Sequence, residues 1–535
     1  MHNDNLFWLV FVRRSIICFA IIILLFFSCI LRVAVTATKN YKTVQEKQSS
    51  IRLTISKLRG TIYDCNMMPL TNNTTKIIAA VSPTPRAITA ISSVLKGKEK
   101  ESVLATLKSG KPALCEVREN IECDGIVCFK VFTRSKENQL AVHTVGYSNS
   151  DGVGVSGIEY YYNDILQSDK NAEIIYYCDG LGRILEGIEP KIENDNSIIA
   201  NGVITTIDSK IQSICEENAK NIESGAIVVS EVSSGKIRGI VSMPTYNALE
   251  IENYLEVENS PLFNRATAAY NVGSIFKPCV AATGLENKLG DYTYNCTGSC
   301  LIAERHFKCH NHNGHGIMSL KTALANSCNT YFYNYAFSLG ADPIYKMASS
   351  LMFGKSITLC KNFKVSAGNL TTKSKLQNIA GLANFSIGQG ELLLSPVSML
   401  TLYTAIANGG SYRAPTLVEG IVNGGEITKE KTKNLTKVMS ENTAKLLALD
   451  LKEVVENGTG KTAKPKTVLA AGKTATAQTG KYENSTEICS AWFCGFFPVN
   501  NPKYVVIVFS ENSLKQTLSC GEIFSNIADQ ITAIS

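Results

Sequence analysis

Tryptophan, proline and concentrated charge are all scarce in this chain of 535 residues. Two tryptophans supply little of the aromatic platform on which proteins stack single-stranded nucleic acid. A formal net charge of +7 is too dilute over this length to indicate a nucleic-acid partner. Only 14 prolines are present, and 45% of the residues are hydrophobic, so collagen-like and disordered chains are excluded. The length predicts more than one globular domain.

The 17 cysteines are odd in number and have no regular spacing. A small disulfide-stapled scaffold is excluded by the length of the chain. Cys18 and Cys29 fall in the apolar N-terminal segment, and at least one of the remaining thiols must be unpaired within the chain. The count therefore argues against a fully oxidised exported protein.

The N-terminal segment predicts the compartment. Residues 15–31 form an uncharged apolar run, which is at the short end for a transmembrane helix. We interpret residues 1–37 as a cytoplasmic tail and membrane anchor. A cleavable signal peptide is the alternative, because residues 35–37 could suit a signal peptidase. Basic residues lie on both sides of the run, so charge does not fix its orientation.

The remaining pattern predicts an α+β protein. Residues 44–58 have a helix-forming composition, and residues 59–64 resemble the start of a strand. From about residue 200 the pattern indicates strands that flank a helical middle, which is typical of a mostly antiparallel sheet with helices packed on it. The clearest elements are a helix at 209–222, a hairpin at 225–243, strands at 491–499 and 504–509, and a closing helix at 523–534.

The first motif with catalytic potential is S-x-x-K, formed by Ser274 and Lys277. On a helix, residues three apart share a face, so the lysine amine can reach the serine hydroxyl. A serine becomes a useful nucleophile when such a base takes its proton. The motif alone is weak, since residues 93–96 and 233–236 match it as well.

A second motif, S-x-N, is formed by Ser327 and Asn329. It lies between two predicted helical runs, residues 320–325 and 331–339, where a serine and an amide can point into one cleft. Two further matches, at 440–442 and 510–512, lie at a helix start and a strand end and are weaker candidates.

A third motif begins at Lys473 and continues through Thr474, Ala475 and Thr476. It follows an apolar run, which predicts a strand. Strand alternation would place Lys473 and Ala475 on one face and the two threonines on the other. A near-duplicate at residues 460–463 lies in a turn-rich loop, and neither copy has the glycine spacing of a phosphate-binding loop.

These three motifs, in this order, resemble the active-site set of the penicillin-recognising serine acyltransferases. The flanking segments 263–266, 271–278 and 491–498 resemble those of class B penicillin-binding proteins, and residues 59–64 and 157–159 resemble motifs of their N-terminal pedestal. The resemblance covers residues 59–520. It implies a pedestal domain over residues 38–200 and a transpeptidase domain over residues 201–535.

The resemblance implies a peptidoglycan D,D-transpeptidase that is inhibited by β-lactams. Ser274 would attack the penultimate D-alanine of a stem peptide and Lys277 would take its proton, with a pKa depressed by burial beside Lys473. Ser327 would pass a proton to the departing D-alanine, and Asn329 would orient the peptide.

The family pattern also assigns the substrate-binding groups. Lys473, Thr474 and Thr476 would hold the terminal carboxylate of the peptide, and the backbone N–H groups of Ser274 and Thr476 would form the oxyanion hole. No cofactor or metal is assigned to this site. The implied partners are stem peptides, β-lactams, the cell membrane and a polytopic glycosyltransferase, with the catalytic domain outside the cytoplasm.

Two alternatives remain open at this point. A β-lactamase or carboxypeptidase would use water as the acyl acceptor, although the pedestal motifs argue against it. A catalytically weak scaffold or β-lactam sensor is the other alternative, because Ala475 replaces the glycine that the family usually has in its third motif.

A cysteine- and histidine-rich loop has two interpretations. Between residues 296 and 315 lie three cysteines and three histidines, and Cys328 follows closely; the first six are Cys296, Cys300, Cys309, His310, His312 and His315. Zinc binds such sulfur and nitrogen ligands tetrahedrally, but the spacing is not that of a standard zinc finger. We prefer the interpretation that the cysteines of this loop form a disulfide or remain free thiols. A bound metal is the alternative.

Overall fold

The computed structural model describes residues 3–38, 50–185, 187–193, 200–483 and 486–534. The chain divides into two compact units. The first consists of Met1–Lys57, Lys76–Val131 and Lys170–Ser197. The second consists of Leu58–Thr75, Phe132–Asp169 and Ile198–Ser535.

The α-helices of the described residues are, in chain order, Asn3–Thr38 (α1), Pro85–Val94 (α2), Gly97–Lys108 (α3), Val142–Val145 (α4), Gly157–Tyr161 (α5), Asn163–Leu166 (α6), Ser209–Ala219 (α7), Lys277–Glu286 (α8), Leu320–Ala325 (α9), Asn329–Leu339 (α10), Ala341–Ser350 (α11), Lys373–Leu376 (α12), Ile379–Ser386 (α13), Pro396–Ala407 (α14), Glu441–Glu456 (α15) and Cys520–Ile534 (α16). Short 3₁₀ turns lie at Ile251–Tyr254, Gly273–Phe276, Lys461–Ala463 and Ser513–Lys515.

The strands of the described residues are Ser50–Arg59 (β1), Thr61–Tyr63 (β2), Thr74–Val81 (β3), Ala113–Val117 (β4), Ile126–Thr133 (β5), Gln167–Tyr177 (β6), Lys191–Glu193 (β7), Gly202–Thr205 (β8), Gly225–Glu231 (β9), Ile237–Met243 (β10), Tyr270–Asn271 (β11), Tyr294–Cys296 (β12), Ser299–Ile302 (β13), Arg305–Lys308 (β14), Gly316–Met318 (β15), Thr358–Cys360 (β16), Phe363–Lys364 (β17), Leu393–Leu394 (β18), Ser411–Arg413 (β19), Val418–Asn423 (β20), Glu426–Lys429 (β21), Leu435–Lys437 (β22), Ala471–Glu483 (β23), Thr486–Phe497 (β24) and Tyr504–Ser510 (β25).

Helix α1 contains the predicted membrane anchor. Its stretch Val10–Val35 is long and apolar enough to cross a membrane, and none of it is buried in the protein. The isoleucine, leucine and phenylalanine side chains that a soluble protein would cover are exposed along the whole stretch. A lipid environment would satisfy such a surface.

The helix predicted for residues 44–58 is wrong where the structure describes it. Ser50–Arg59 is a strand, β1, which pairs with β6, while residues 44–49 lie outside the described residues. Ile51, Leu53 and Ile55 alternate with polar residues, which is a period of two. The prediction of a helix relied on the amino-acid composition of residues 44–58 and gave this alternation too little weight. The β-branched isoleucines also favour a strand.

The central sheet of the second unit confirms the α+β prediction. Its five strands are antiparallel and lie in the order β10-β9-β25-β24-β23. Alternate side chains face opposite layers: Val228 and Ile507 belong to the core that contains α8 and α14, whereas Ile227 and Val506 pack with α7 and α16. The predicted hairpin at 225–243 forms β9 and β10. Strand β23 is an edge of this sheet.

The two predicted pedestal motifs meet through a buried ion pair in the second unit. The Arg59 guanidinium donates to Glu159 with an Nε–Oε2 distance of 2.6 Å, and Arg134 pairs with the other carboxylate oxygen. The Glu159 side chain is 1% exposed. A carboxylate buried so completely requires such cationic partners, so these motifs form one structural support.

Candidate active site

Ser274 lies in a 3₁₀ turn that leads into α8. The turn is Gly273–Phe276, and the α-helix begins at Lys277, one residue before Pro278. The predicted helix from Ser274 is therefore a 3₁₀ turn at its start, because a proline is tolerated only in the first turn of an α-helix. Residues three apart are eclipsed in 3₁₀ geometry, so Ser274 and Lys277 share one face.

The amine of Lys277 joins the first motif to the second. It donates to the Ser327 carbonyl at 2.7 Å, to Asn329 Oδ1 at 2.8 Å and to Ser327 Oγ at 3.1 Å. The side chain is completely buried. Burial disfavours the charged amine and lowers the pKa of Lys277 to about 7. A substantial fraction of the amine is therefore neutral near physiological pH.

The second motif occupies a tight turn between two helices. Helix α9 ends at Ala325 and α10 begins at Asn329, as the sequence predicted within two residues. Ser327 adopts a φ of 52°, a left-handed conformation that is uncommon for serine. The turn directs both Ser327 Oγ and the Asn329 amide oxygen toward Lys277.

The third motif lies on β23 and alternates as predicted. Lys473 and Ala475 are buried, Thr474 is half-buried, and Thr476 is exposed. The Lys473 amine donates to the Thr474 carbonyl at 3.1 Å and to Thr459 Oγ1 at 3.5 Å. Burial, together with the charge of Lys277, holds the pKa of Lys473 well below its usual value.

Burial lowers the pKa of both lysines. The sequence predicts that burial beside the cation of Lys473 depresses the pKa of Lys277, and burial is the first cause of that shift. At Lys473 the charge of Lys277 adds to the effect of burial. Because the repulsion between two neighbouring cations is mutual, each amine makes the other harder to protonate.

One cavity of about 490 Å³ brings the three motifs together. Five residues predicted for the site line it: Ser274, Ser327, Asn329, Thr474 and Thr476. The two predicted lysines are buried and reach the site from behind it. The cavity is also lined by residues that the prediction left out, namely His310, Thr459 and Thr462. The near-duplicate at 460–463 contains Thr462 and directly follows Thr459, but its position in a turn-rich loop gave no reason to place it in the site.

Three side chains of the cysteine- and histidine-rich loop converge with Cys328 beside this site. Their ligand atoms all lie within 4.8 Å of one another, and the four are Cys296, Cys309, His315 and Cys328. The hairpins β12–β15 and β13–β14 bring the first three together. Cys328 is the middle residue of the second motif, so the cluster and the turn that carries this motif share one residue.

The spacing of these atoms fits zinc. The His315 Nδ1 atom lies 3.5 Å from Cys296 Sγ and 3.6 Å from Cys309 Sγ, and the two sulfurs of Cys309 and Cys328 are 3.9 Å apart. Tetrahedral zinc with usual bond lengths would separate two sulfurs by about 3.8 Å and a sulfur from a nitrogen by about 3.6 Å. A disulfide needs sulfurs about 2.05 Å apart. The geometry therefore favours the zinc interpretation over the disulfide, and four protein ligands indicate a structural ion.

Comparisons with known proteins show which family the chain resembles. The family model described as "Penicillin binding protein transpeptidase domain" matches residues 225–529, more than half of the chain. Stage V sporulation protein D of Bacillus subtilis is 29% identical over 402 residues, which cover 71% of this chain and 59% of that protein. The peptidoglycan D,D-transpeptidase MrdA of Salmonella typhimurium is 23% identical over 612 residues, covering 97% and 96% of the two chains.

Solved structures show the same fold. Penicillin-binding protein PBP2 from Helicobacter pylori superposes with a TM-score of 0.68 at 20% identity, covering 91% of this chain and 99% of that one. The serine, the two lysines and the S-x-N turn around one cavity match the motif set of the penicillin-recognising proteins. The chain belongs to the penicillin binding protein transpeptidase family, and its relatives are class B members.

We expect the purified protein to carry about one zinc ion per chain, because the four ligand atoms are already placed for tetrahedral coordination. Elemental analysis of protein never exposed to a chelator measures this directly. Cys309→Ser should lower the zinc content strongly. The matched control is Cys300→Ser, which changes a cysteine of the same loop outside the four-ligand set and should retain the metal. Metal-free wild-type protein would rule out the zinc interpretation.

Proposed function

We propose that this chain is a peptidoglycan D,D-transpeptidase that cross-links stem peptides through an acyl-enzyme on Ser274. The observation that carries the proposal is the buried amine of Lys277, which bonds directly to Ser327 and Asn329 at the wall of the cavity that Ser274 lines. Relatives named as peptidoglycan D,D-transpeptidases support the same reaction.

Acylation begins with the Ser274 hydroxyl. Its oxygen attacks the carbonyl of the penultimate D-alanine while the neutral amine of Lys277 accepts its proton. The developing oxyanion accepts hydrogen bonds from the backbone N–H groups of Ser274 and Thr476. A β-lactam follows the same path, except that its leaving nitrogen stays attached through the opened ring.

Departure of the terminal D-alanine requires a proton on its nitrogen. Ser327 Oγ lies 3.1 Å from the Lys277 amine and can pass the proton from that lysine to the leaving group. Asn329 orients the peptide. The amine of a neighbouring stem peptide then attacks the ester, which forms the cross-link and frees Ser274.

The terminal carboxylate of the substrate binds on the side of β23. Thr474 and Thr476 offer hydroxyl groups there, and the amine of Lys473 lies behind them. An arriving carboxylate favours the charged form of Lys473, which opposes the effect of burial on its pKa. Substrate binding and lysine protonation therefore support each other.

The rest of the chain fits a membrane-anchored enzyme. Residues 1–37 act as a tail and anchor, residues 38–200 as the pedestal, and residues 201–535 as the catalytic domain outside the cytoplasm. The apolar stretch of α1 supports the anchor. A polytopic glycosyltransferase that polymerises the glycan strands is the partner this arrangement implies, because a cross-linking enzyme needs newly made strands beside it.

A fluorescent penicillin should label the protein covalently at Ser274, and Ser274→Ala should abolish the labelling. The nearest matched control is Ser93→Ala, which removes the serine of a chance S-x-x-K match and should label normally. Peptide mapping locates the adduct, and an adduct elsewhere would overturn the mechanism. Product analysis with stem peptides then separates cross-linking from hydrolysis.

The rate of acylation should rise with pH through about 7 and level off above it. The pKa of Lys277 is lowered to about 7, so the neutral base predominates above that pH and the protonated, inactive amine below it. Stopped-flow acylation by penicillin across pH 5.5–9 measures the profile. An arginine stays charged throughout this range, so Lys277→Arg should be inactive at every pH. A flat profile for the wild-type enzyme would contradict the assigned base.

Replacing Ala475 by glycine should raise the rate of penicillin acylation several-fold. The methyl group of Ala475 faces Gly273: a Cβ built on Gly273 would lie 3.4 Å from the Cβ of Ala475. An added methyl between packed backbones shifts one of them, and such a shift moves the Thr476 N–H away from the oxyanion. Ala471→Gly, on the same strand, controls for the backbone entropy that glycine adds. Equal or slower acylation by Ala475→Gly, measured by stopped flow, would refute this.

A further inference from the structure

The loop that follows α15 reaches the active-site cavity through Thr459. This loop carries the near-duplicate of the third motif, and the assigned mechanism leaves it without a role. Thr459 is exposed to the cavity and lines it together with Ser274, Thr474 and Thr476. Its hydroxyl therefore lies where substrate binds.

Thr459 is held in place by the end of α9, the helix that leads into the second motif. Its backbone N–H donates to the carbonyl of Ala325 at 2.9 Å, two residues before Ser327. The preceding Gly458 packs so tightly that a Cβ there would lie 2.3 Å from the same carbonyl. The neighbouring Gly460 donates to the Val454 carbonyl at 2.9 Å. The loop is thus fixed against both α9 and α15, and the Thr459 hydroxyl has a defined position.

The hydroxyl of Thr459 also contacts the third motif. Its Oγ1 lies 3.1 Å from Thr474 Oγ1 and 3.5 Å from the Lys473 amine. The Lys473 amine donates to Thr459 Oγ1, and the Thr474 hydroxyl donates to the same oxygen. A hydroxyl oxygen accepts two hydrogen bonds, so both acceptor positions of Thr459 are used. Its own hydrogen is then left to donate into the cavity.

We infer that Thr459 is a further carboxylate-binding residue of this enzyme, donating its hydroxyl hydrogen to the terminal carboxylate of the stem peptide and to the carboxylate of a β-lactam. The inference rests on the proposed transpeptidase function. It assigns the donor of the Lys473–Thr474–Thr459 group that faces the cavity to Thr459, in place of the direct contact given above to the Thr474 hydroxyl, which donates to Thr459 instead. The carboxylate site is then shared between Thr476 of β23 and the loop after α15.

The test compares acylation of three enzymes by benzylpenicillin and by its methyl ester, which lacks the carboxylate charge. Thr459→Val keeps the shape of the side chain and removes the hydroxyl, and Thr459→Ser keeps the hydroxyl. A hydrogen bond to a charged group is worth about a tenfold change in rate. We expect Thr459→Val to react about tenfold more slowly with benzylpenicillin but within about twofold of wild type with the ester. Thr459→Ser should react like the wild type with both.

Two outcomes would overturn the inference. Equal losses with both ligands would mean that Thr459 only supports the loop, and no loss with benzylpenicillin would mean that its hydroxyl does not reach the carboxylate. Thermal melting of the valine variant shows whether it folds, and Thr459→Ala, which also removes the hydroxyl, takes its place with the same expected contrast between the two ligands if it does not. Failure of the proposed function is a separate result, since wild-type enzyme would then not be acylated at Ser274 at all.

Discussion

The buried amine of Lys277 is the interaction on which the active site depends. A lysine removed from water is costly unless acceptors surround it or its proton is lost. Here three acceptors come from two residues of one turn, Ser327 and Asn329. The same contacts therefore fix the distance between α8 and α10 and lower the cost of burial. Because the burial also shifts the pKa, structural support and base strength have one origin.

The turn that supplies those acceptors needs support of its own. Ser327 has a left-handed backbone, which costs a non-glycine residue about 1–3 kcal/mol and persists only where neighbours enforce it. Two groups of contacts do so from opposite sides. On one side, the Lys277 amine donates to the carbonyl and the hydroxyl of Ser327. On the other side, Cys328 belongs to the cysteine–histidine cluster. A metal in that cluster would stabilise this turn from the side away from Lys277.

Sequence reasoning recovered the parts of the site that local pattern encodes. The alternation on β23 and the turn between α9 and α10 follow from short-range periodicity, and both were predicted. What it missed depends on contacts between distant segments. Thr459 acquires its position from Ala325 and Thr474, neither of which its own loop reveals. Likewise, spacing alone gave no reason to select four ligands from seven cysteines and histidines. The strand at 50–59 was a different error, since its period of two was visible.

The 3₁₀ turn Gly273–Phe276, which contains Ser274, packs against β23 mainly through its backbone. Gly273 has a φ of 61° and donates its N–H to the Gly388 carbonyl at 2.9 Å, and a Cβ on Gly388 would collide with the Gly273 carbonyl. Gly273 lets the turn lie against β23, since a Cβ there would be 3.2 Å from the Cβ of Ala477, and Gly388 lets the segment after α13 approach the same turn. Trp492, on the next strand, donates to the Asn271 carbonyl at 3.0 Å and secures the start of the same turn. Since the groups that stabilise an oxyanion are backbone N–H groups, the closeness of these two backbones determines whether both can reach one oxygen. Ala475 lies at that contact, so the departure of this chain from its family's usual third motif falls where these two backbones meet.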